Sequence, residues 1–149
     1  MVRDRKIKSK KVVLASDHAG FKLKEEIKKF LIKKKEKVLD LGTKNTNSVD
    51  YPDYAHLLSK KMRKDKHQFG ILICGSGTGM SMAANKHKNI RAALCYNTKS
   101  TKLSRLHNNA NVMTLGSRLI NKNVALKCVS TFLKTNFDGG RHLKRVKKI

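Results

Sequence analysis

Apolar positions in this chain follow two periods that alternate along its length. Short apolar runs at residues 11–16 (KVVLAS), 38–41, 69–73 (FGILI), 91–95 (RAALC) and 111–115 (NVMTL) predict strands, the first buried and the continuous run 69–73 buried on both faces. Between them the apolar residues recur at helical spacing. Phe21, Leu23, Ile27, Phe30 and Leu31 predict a helix to about residue 34. Pro52, the one proline, suits the first position of a helix to about residue 64, with Asp53 favourably placed in its first turn. From Met80 the pattern is helical again, Met80, Ala83 and Ala84 sharing a face, and further helices are predicted over 98–106 and 121–135. Residues 44–50 are a polar loop and 137–149 a basic tail containing Gly139 and Gly140. Residues 1–10, charged and aperiodic, are expected as a flexible leader to one domain over 11–149.

Strand and helix alternating five times argue for a parallel sheet covered on both faces. The expected architecture is α/β: a single-domain, three-layer αβα sandwich on a five-stranded, mostly parallel, Rossmann-like sheet. Ligands in such sheets sit beyond the carboxyl ends of the strands. That rule gathers Asp17, His18, residues 74–79 and the segment after Leu115 onto one rim. At its centre Cys74 ends a strand, followed by Gly75, Gly77 and Gly79 at alternate positions, with Ser76 and Thr78 between them. A strand, a glycine-rich turn and a helix start aim backbone N–H groups at one spot, where a helix dipole also favours negative charge. A cysteine there is expected as a thiolate at the lip of an anion hole. Glycines of such turns also serve tight packing alone, and the pattern by itself leaves both readings open. GSGTG is not the dinucleotide fingerprint GxGxxG, and the phosphate loop GxxxxGK[ST] is absent.

Charge adds a question. Lysine and arginine number 35 against 10 acidic residues, a formal net charge of +25. The basic residues spread over every segment, and aromatics, which RNA-binding modules interleave with them, are only 5% of the chain. A solvated lysine-rich surface is therefore the reading, with no specific nucleic acid partner and non-specific polyanion binding at low salt. No apolar run is long enough for a membrane span, and the basic start lacks a signal-peptide core, so no membrane association is expected. Cys74, Cys95 and Cys128 are odd in number and lack metal-ligand spacing, which points to a reducing, cytoplasmic setting. Only eight of the 35 basic residues are arginine: at 3, 5, 63, 91, 105, 118, 141 and 145. Arg141 and Arg145, four apart, could grip one phosphate from a helical turn or belong to an ordinary basic tail.

Six blocks carry a resemblance: SDHAGFKLKEEI from Ser16, DYPDYA from Asp50, GILICGSGTGMSMAANK from Gly70, IRAALC from Ile90, SRLHNNANVMTLGSR from Ser104 and GGRHLKR from Gly139. In these, running in order over almost all of residues 11–145, the chain resembles the family of type B ribose-5-phosphate isomerases and galactose-6-phosphate isomerase subunits. The resemblance implies interconversion of ribose 5-phosphate and ribulose 5-phosphate through an enediolate, in the non-oxidative pentose phosphate pathway. It implies neither metal nor organic cofactor.

By the same resemblance Cys74 is the general base, Ser76 a hydroxyl near the reacting oxygens, and His107 the acid–base that opens the furanose ring. Gly75, Gly77, Thr78 and Gly79 form the turn around the enediolate oxygen, and Asn108 holds substrate hydroxyls. Asp17 lies on the ring oxygens, His18 lies toward phosphate or ring, and Tyr51 lines the pocket. Arg118, Arg141 and Arg145 bind phosphate. His56, His67, His87 and His142 match nothing catalytic and are read as surface or packing residues, and Cys95 and Cys128 as core thiols. Geometry adds one expectation. The helix over 98–106 starts at the catalytic rim and carries His107 away by ~1.5 Å per residue, some ~14 Å in all. If Cys74 and His107 serve one site, His107 comes from a second copy, so a homodimer with shared sites is expected, with further pairing of dimers left open. Two alternatives remain: an isomerase of a six-carbon sugar phosphate, and a non-catalytic basic protein that binds nucleic acid.

Overall fold

The computed structural model describes residues 8–65 and 68–149. Residues 1–7 of the expected leader, and His67, lie outside them. Lys10, at the leader's end, is held: its N–H donates to the Glu36 carboxylate and its carbonyl accepts from Lys37 N at 2.8 Å.

Five strands form one sheet: β1 (Lys11–Ser16), β2 (Lys37–Asp40), β3 (Gln68–Cys74), β4 (Ala92–Leu94) and β5 (Val112–Gly116). Their order is β2-β1-β3-β5-β4 and every pairing is parallel, so the sheet is parallel throughout rather than mostly so. The helices are α1 (Phe21–Lys33), α2 (Tyr51–Met62), α3 (Thr78–Ala84), α4 (Thr98–Asn108), α5 (Lys122–Lys134) and α6 (Arg141–Val146). Side chains of period two divide the core. Val12, Leu14, Ile71, Ile73, Met113 and Leu115 point to the face covered by α1 and α5. Val13, Ala15, Leu72, Cys74 and Val112 point to the face covered by α2 and α3. Both faces of the central strands are apolar because both are buried.

Boundaries differ from the sequence pattern in ways that local chemistry explains. Asp50 precedes α2, so Tyr51 takes the first position and Pro52 the second. Asn97 and Asn121 cap α4 and α5, their side chains accepting from Ser100 N and Val124 N at 2.8 and 2.9 Å. α4 runs to Asn108 and ends on Asn109 in the left-handed region, a conformation asparagine tolerates. The basic tail is partly helical: Gly139 and Gly140, both at positive φ, turn the chain into α6.

One lysine departs from the solvated-surface reading. Lys24 on α1 is 1% exposed and donates to Asp40 Oδ2 at 2.6 Å and Glu25 Oε1 at 2.8 Å. Asp40 also accepts from Lys28 Nζ at 3.1 Å and Gly42 N at 2.9 Å. Burial pushes the Asp40 carboxyl up, but these hydrogen bonds, Lys24's foremost, win and hold it below the usual carboxylate value.

Candidate active site

From β1 the chain reaches β2 on one side and then crosses back to β3 on the other, so the β1/β3 junction is the topological switch point. Three segments meet at its carboxyl end. The turn after β1 is tied to β3 by Asp17 N donating to Ile73 O at 3.2 Å. The segment after β5 is tied to the turn after β3 by Ser117 N to Cys74 O at 2.9 Å and Arg118 N to Gly75 O at 3.0 Å. Ser117 Oγ closes the ring by donating to Ala19 O at 2.8 Å.

Cys74 ends β3 with 4% of its surface exposed, and its sulfur accepts the Gly77 N–H at 3.0 Å. Gly77 sits at φ 77°, in the left-handed region, and this aims its N–H back at the sulfur. Such a donor stabilises negative charge on sulfur. Ser76 and Thr78 are exposed, and Ser76 Oγ accepts from Thr78 N at 3.3 Å. Two side chains lean on the turn. A Cβ at Gly75 would lie 2.9 Å from Arg118 Nη1, and one at Gly79 would lie 2.5 Å from the Tyr51 ring, so these glycines admit the guanidinium and the phenol against bare backbone. Tyr51 is 40% exposed.

Asp17 is buried, and its Oδ1 accepts from Gly20 N at 3.0 Å, which holds the turn that presents His18. His18 Nδ1 accepts from Val49 N at 3.2 Å; that bond fixes the ring and places its proton on Nε2. One rim thus carries Asp17, His18, Tyr51, Cys74, Gly75, Ser76, Gly77, Thr78, Gly79 and Arg118.

His107, Asn108, Arg141 and Arg145 lie at the other end of the sheet. Asn111, just past α4, has its carbonyl 2.9 Å from Gly70 N, at the start of β3, whereas Cys74 pairs with Gly116. Four residues of strand separate those levels, ~13 Å. Arg141 and Arg145 share a face of α6. His142, read from sequence as surface or packing, stacks on His107 with centroids 4.3 Å apart and planes 13° from parallel. Asp138 joins them, its N–H donating to Leu106 O at 3.1 Å. Partial desolvation, then the charges of His107, Arg141 and Arg145, hold His142 below the ordinary imidazole value, while Asp138 pulls the other way. His56 and His87 form a separate pair, Nδ1 to Nε2 2.6 Å. Cys95 and Cys128 are fully buried; burial pushes the Cys95 thiol up to about 11 and raises Cys128 as well. Both are inert core thiols.

The sequence profile of the ribose/galactose isomerase family matches residues 12–149. The chain belongs to this family. It is therefore an isomerase of sugar phosphates. It is 41% identical over 140 residues to the ribose-5-phosphate isomerase B of Escherichia coli, covering 94% of each chain. Among solved structures, the ribose 5-phosphate isomerase of Thermotoga maritima superposes with a TM-score of 0.90 at 50% identity, over 93% of this chain and 95% of that one. The Mycoplasma genitalium ribose-5-phosphate isomerase B, solved with ribulose-5-phosphate bound, gives a TM-score of 0.91 at 45% identity, over 94% and 93%. Among the described residues no helix is long and apolar enough to cross a membrane.

Proposed function

We propose that this isomerase interconverts ribose 5-phosphate and ribulose 5-phosphate, with Cys74 as the base. The observation that carries the reading is the Cys74 sulfur at the switch point, accepting the Gly77 N–H at 3.0 Å inside a turn of backbone donors. The thiolate takes the proton from C2 of the open aldose, leaving an enediolate whose charge rests on O1. The same sulfur returns the proton to C1 as a hydroxyl proton passes from O2 to O1, giving the ketose. N–H groups of residues 75–79 stabilise the developing oxyanion, the point at which fixed dipoles contribute most to rate. Ser76 lies beside the reacting oxygens, Tyr51 walls the turn and Asp17 receives sugar hydroxyls. His18 and Arg118 complete this rim.

His107 opens the furanose ring, Asn108 holds hydroxyls, and Arg141 and Arg145 take the phosphate. Because these four sit on the opposite rim, they act on the Cys74 of a second copy. A two-fold homodimer then holds two composite sites. The exposure of Ser76, Thr78 and Tyr51 in the single chain fits a rim that another surface completes.

The test has two arms. Conversion of ribose 5-phosphate is measured for wild type and Cys74→Ser; an unchanged rate in the variant removes Cys74 from the chemistry. Separately, Cys74→Ala and His107→Ala chains, each inactive, are unfolded together and refolded. A mixed dimer keeps one intact site of two, so random re-pairing should restore about a quarter of wild-type activity. No recovery in verified mixed dimers rejects shared sites.

A further inference from the structure

The histidine stack has a third member that the isomerase chemistry leaves unused. The last turn of α4 presents His107, and the Asp138 N–H to Leu106 O bond pins the following loop against that helix end. Gly139 and Gly140, at φ 66° and 52°, reverse the chain with open space around both. His142 N then donates to Gly139 O at 3.0 Å, starting α6 with the imidazole over His107. One ligand atom from each of His107, Asp138 and His142 lies within 4.8 Å of the others.

We propose that these three side chains bind a first-row transition-metal cation of the Zn2+ class, and that the bound cation switches the isomerase off by taking the imidazole of His107. Metal–ligand bonds of ~2.0–2.1 Å in a tetrahedral shell put ligand atoms ~3.3 Å apart, so the three atoms must close by up to ~1.5 Å. Side-chain torsions supply that movement, since Asp138 is exposed and both histidines are only half-buried. Two imidazoles and a carboxylate are the donor set of Zn2+, Ni2+ and Cu2+, not of Mg2+ or Ca2+, which take oxygen. Arg141 and Arg145 on α6 repel any cation, so inner-sphere bonds to nitrogen must carry the affinity, which sharpens the selection. Among the described residues no other cluster of three such ligands occurs; His56 and His87 form only a pair.

The inhibition rests on the role proposed for His107, whereas the binding does not. The experiment therefore reads both. Tag-free protein stripped with EDTA is titrated with Co2+, whose visible absorption reports low-symmetry nitrogen–oxygen coordination, and Zn2+ is then added to displace it. His142→Gln and Asp138→Asn should each weaken Co2+ binding at least ~10-fold, as loss of a direct ligand exceeds the effect of an outer-shell partner. Cys74→Ser and His87→Gln should bind as wild type does. Zn2+ should inhibit turnover reversibly, EDTA should restore it, and Asp138→Asn should need at least ~10-fold more Zn2+ with its metal-free rate unchanged. Absence of a Co2+ band overturns the site. So does a band that disappears with Cys74→Ser or His87→Gln yet survives His142→Gln and Asp138→Asn. Binding without inhibition keeps the site and overturns the switch.

Discussion

Gly77 holds φ 77° with its N–H 3.0 Å from the Cys74 sulfur, so Gly77→Ala tests the backbone's part in the chemistry. An L side chain in the left-handed region costs about 1–2 kcal/mol. Space adds to this. The new Cβ would stand 2.7 Å from Leu94 Cδ1, which can swing away, but 2.9 Å from the Leu115 carbonyl carbon and 3.1 Å from Gly116 N, which cannot. The turn must therefore shift, and the N–H that meets the sulfur shifts with it. Complete loss of one oxyanion-type donor costs about 3 kcal/mol of barrier, on the order of 100-fold; a displaced donor should cost about 10- to 100-fold in kcat. Gly75→Ala is the control. Its Cβ would meet Arg118 Nη1 at 2.9 Å, the far end of a flexible side chain, and no backbone within the closest contacts. It should raise KM more than it lowers kcat. Steady-state kinetics on ribose 5-phosphate decides, with urea midpoints confirming that both variants fold. A folded Gly77→Ala with wild-type kcat, or equal loss of kcat in both variants, refutes the reasoning.

Two further outcomes follow from groups away from the turn. Asp40→Ala strands the buried Lys24 ammonium with Glu25 alone, and should lose about 3 kcal/mol at neutral pH, the lower end for breaking a buried pair because Asp40 is 17% exposed. Its carboxyl is held below 3.8, so its contribution is complete above that value and is lost as pH falls through the native-state value. Urea midpoints at fixed protein concentration should show the gap to wild type narrowing in acid, and a gap independent of pH contradicts the pairing. Of the three thiols, Cys95 and Cys128 are raised by burial and should stay unlabelled by iodoacetamide in the native protein while Cys74 reacts. Peptide mass spectrometry finding Cys95 or Cys128 labelled first would reverse the assignment.

Much of this molecule is written in its periods. The apolar runs of β1, β3 and β5 mark the strands buried on both faces, and the placement of the strand-end turns on one rim follows from parallel topology alone. The departures have physical causes. Lys24 occupies the apolar face of α1, three and seven residues before Ile27 and Leu31, so its burial was visible in the spacing once charge was set aside. What the spacing does not show is Asp40, whose reach depends on the register of β2 against β1. The His107–His142 stack was hidden for another reason. It needs two consecutive positive-φ glycines to fold the tail onto α4, and tertiary placement of a tail leaves no period to read. The turn after Cys74 lay between these cases. Its glycines were legible as either packing or binding; the structure packs Gly75 and Gly79 against side chains and turns the Gly77 N–H toward the sulfur.

The distance between Cys74 and His107 follows from the topology rather than from any one residue. A helix that leaves the carboxyl end of β4 and returns the chain to the amino end of β5 must run antiparallel to the sheet. α4 has 11 residues, ~16 Å, so whatever ends it stands a full layer height from whatever begins it. Arg105 locks that end in place, donating to Thr135 O at 3.1 Å and Asn109 Oδ1 at 3.1 Å while lying over Phe69 and Phe132. A hinge that swung His107 up to its own Cys74 would have to break those bonds and expose both rings. Rearranging one chain would therefore be far costlier than the pairing of two that the proposed composite site requires. If His107 takes part in the reaction at all, catalysis and assembly are one equilibrium. Specific activity should then fall on dilution below the dimer dissociation constant, and a monomer of undiminished activity would exclude His107 from the site.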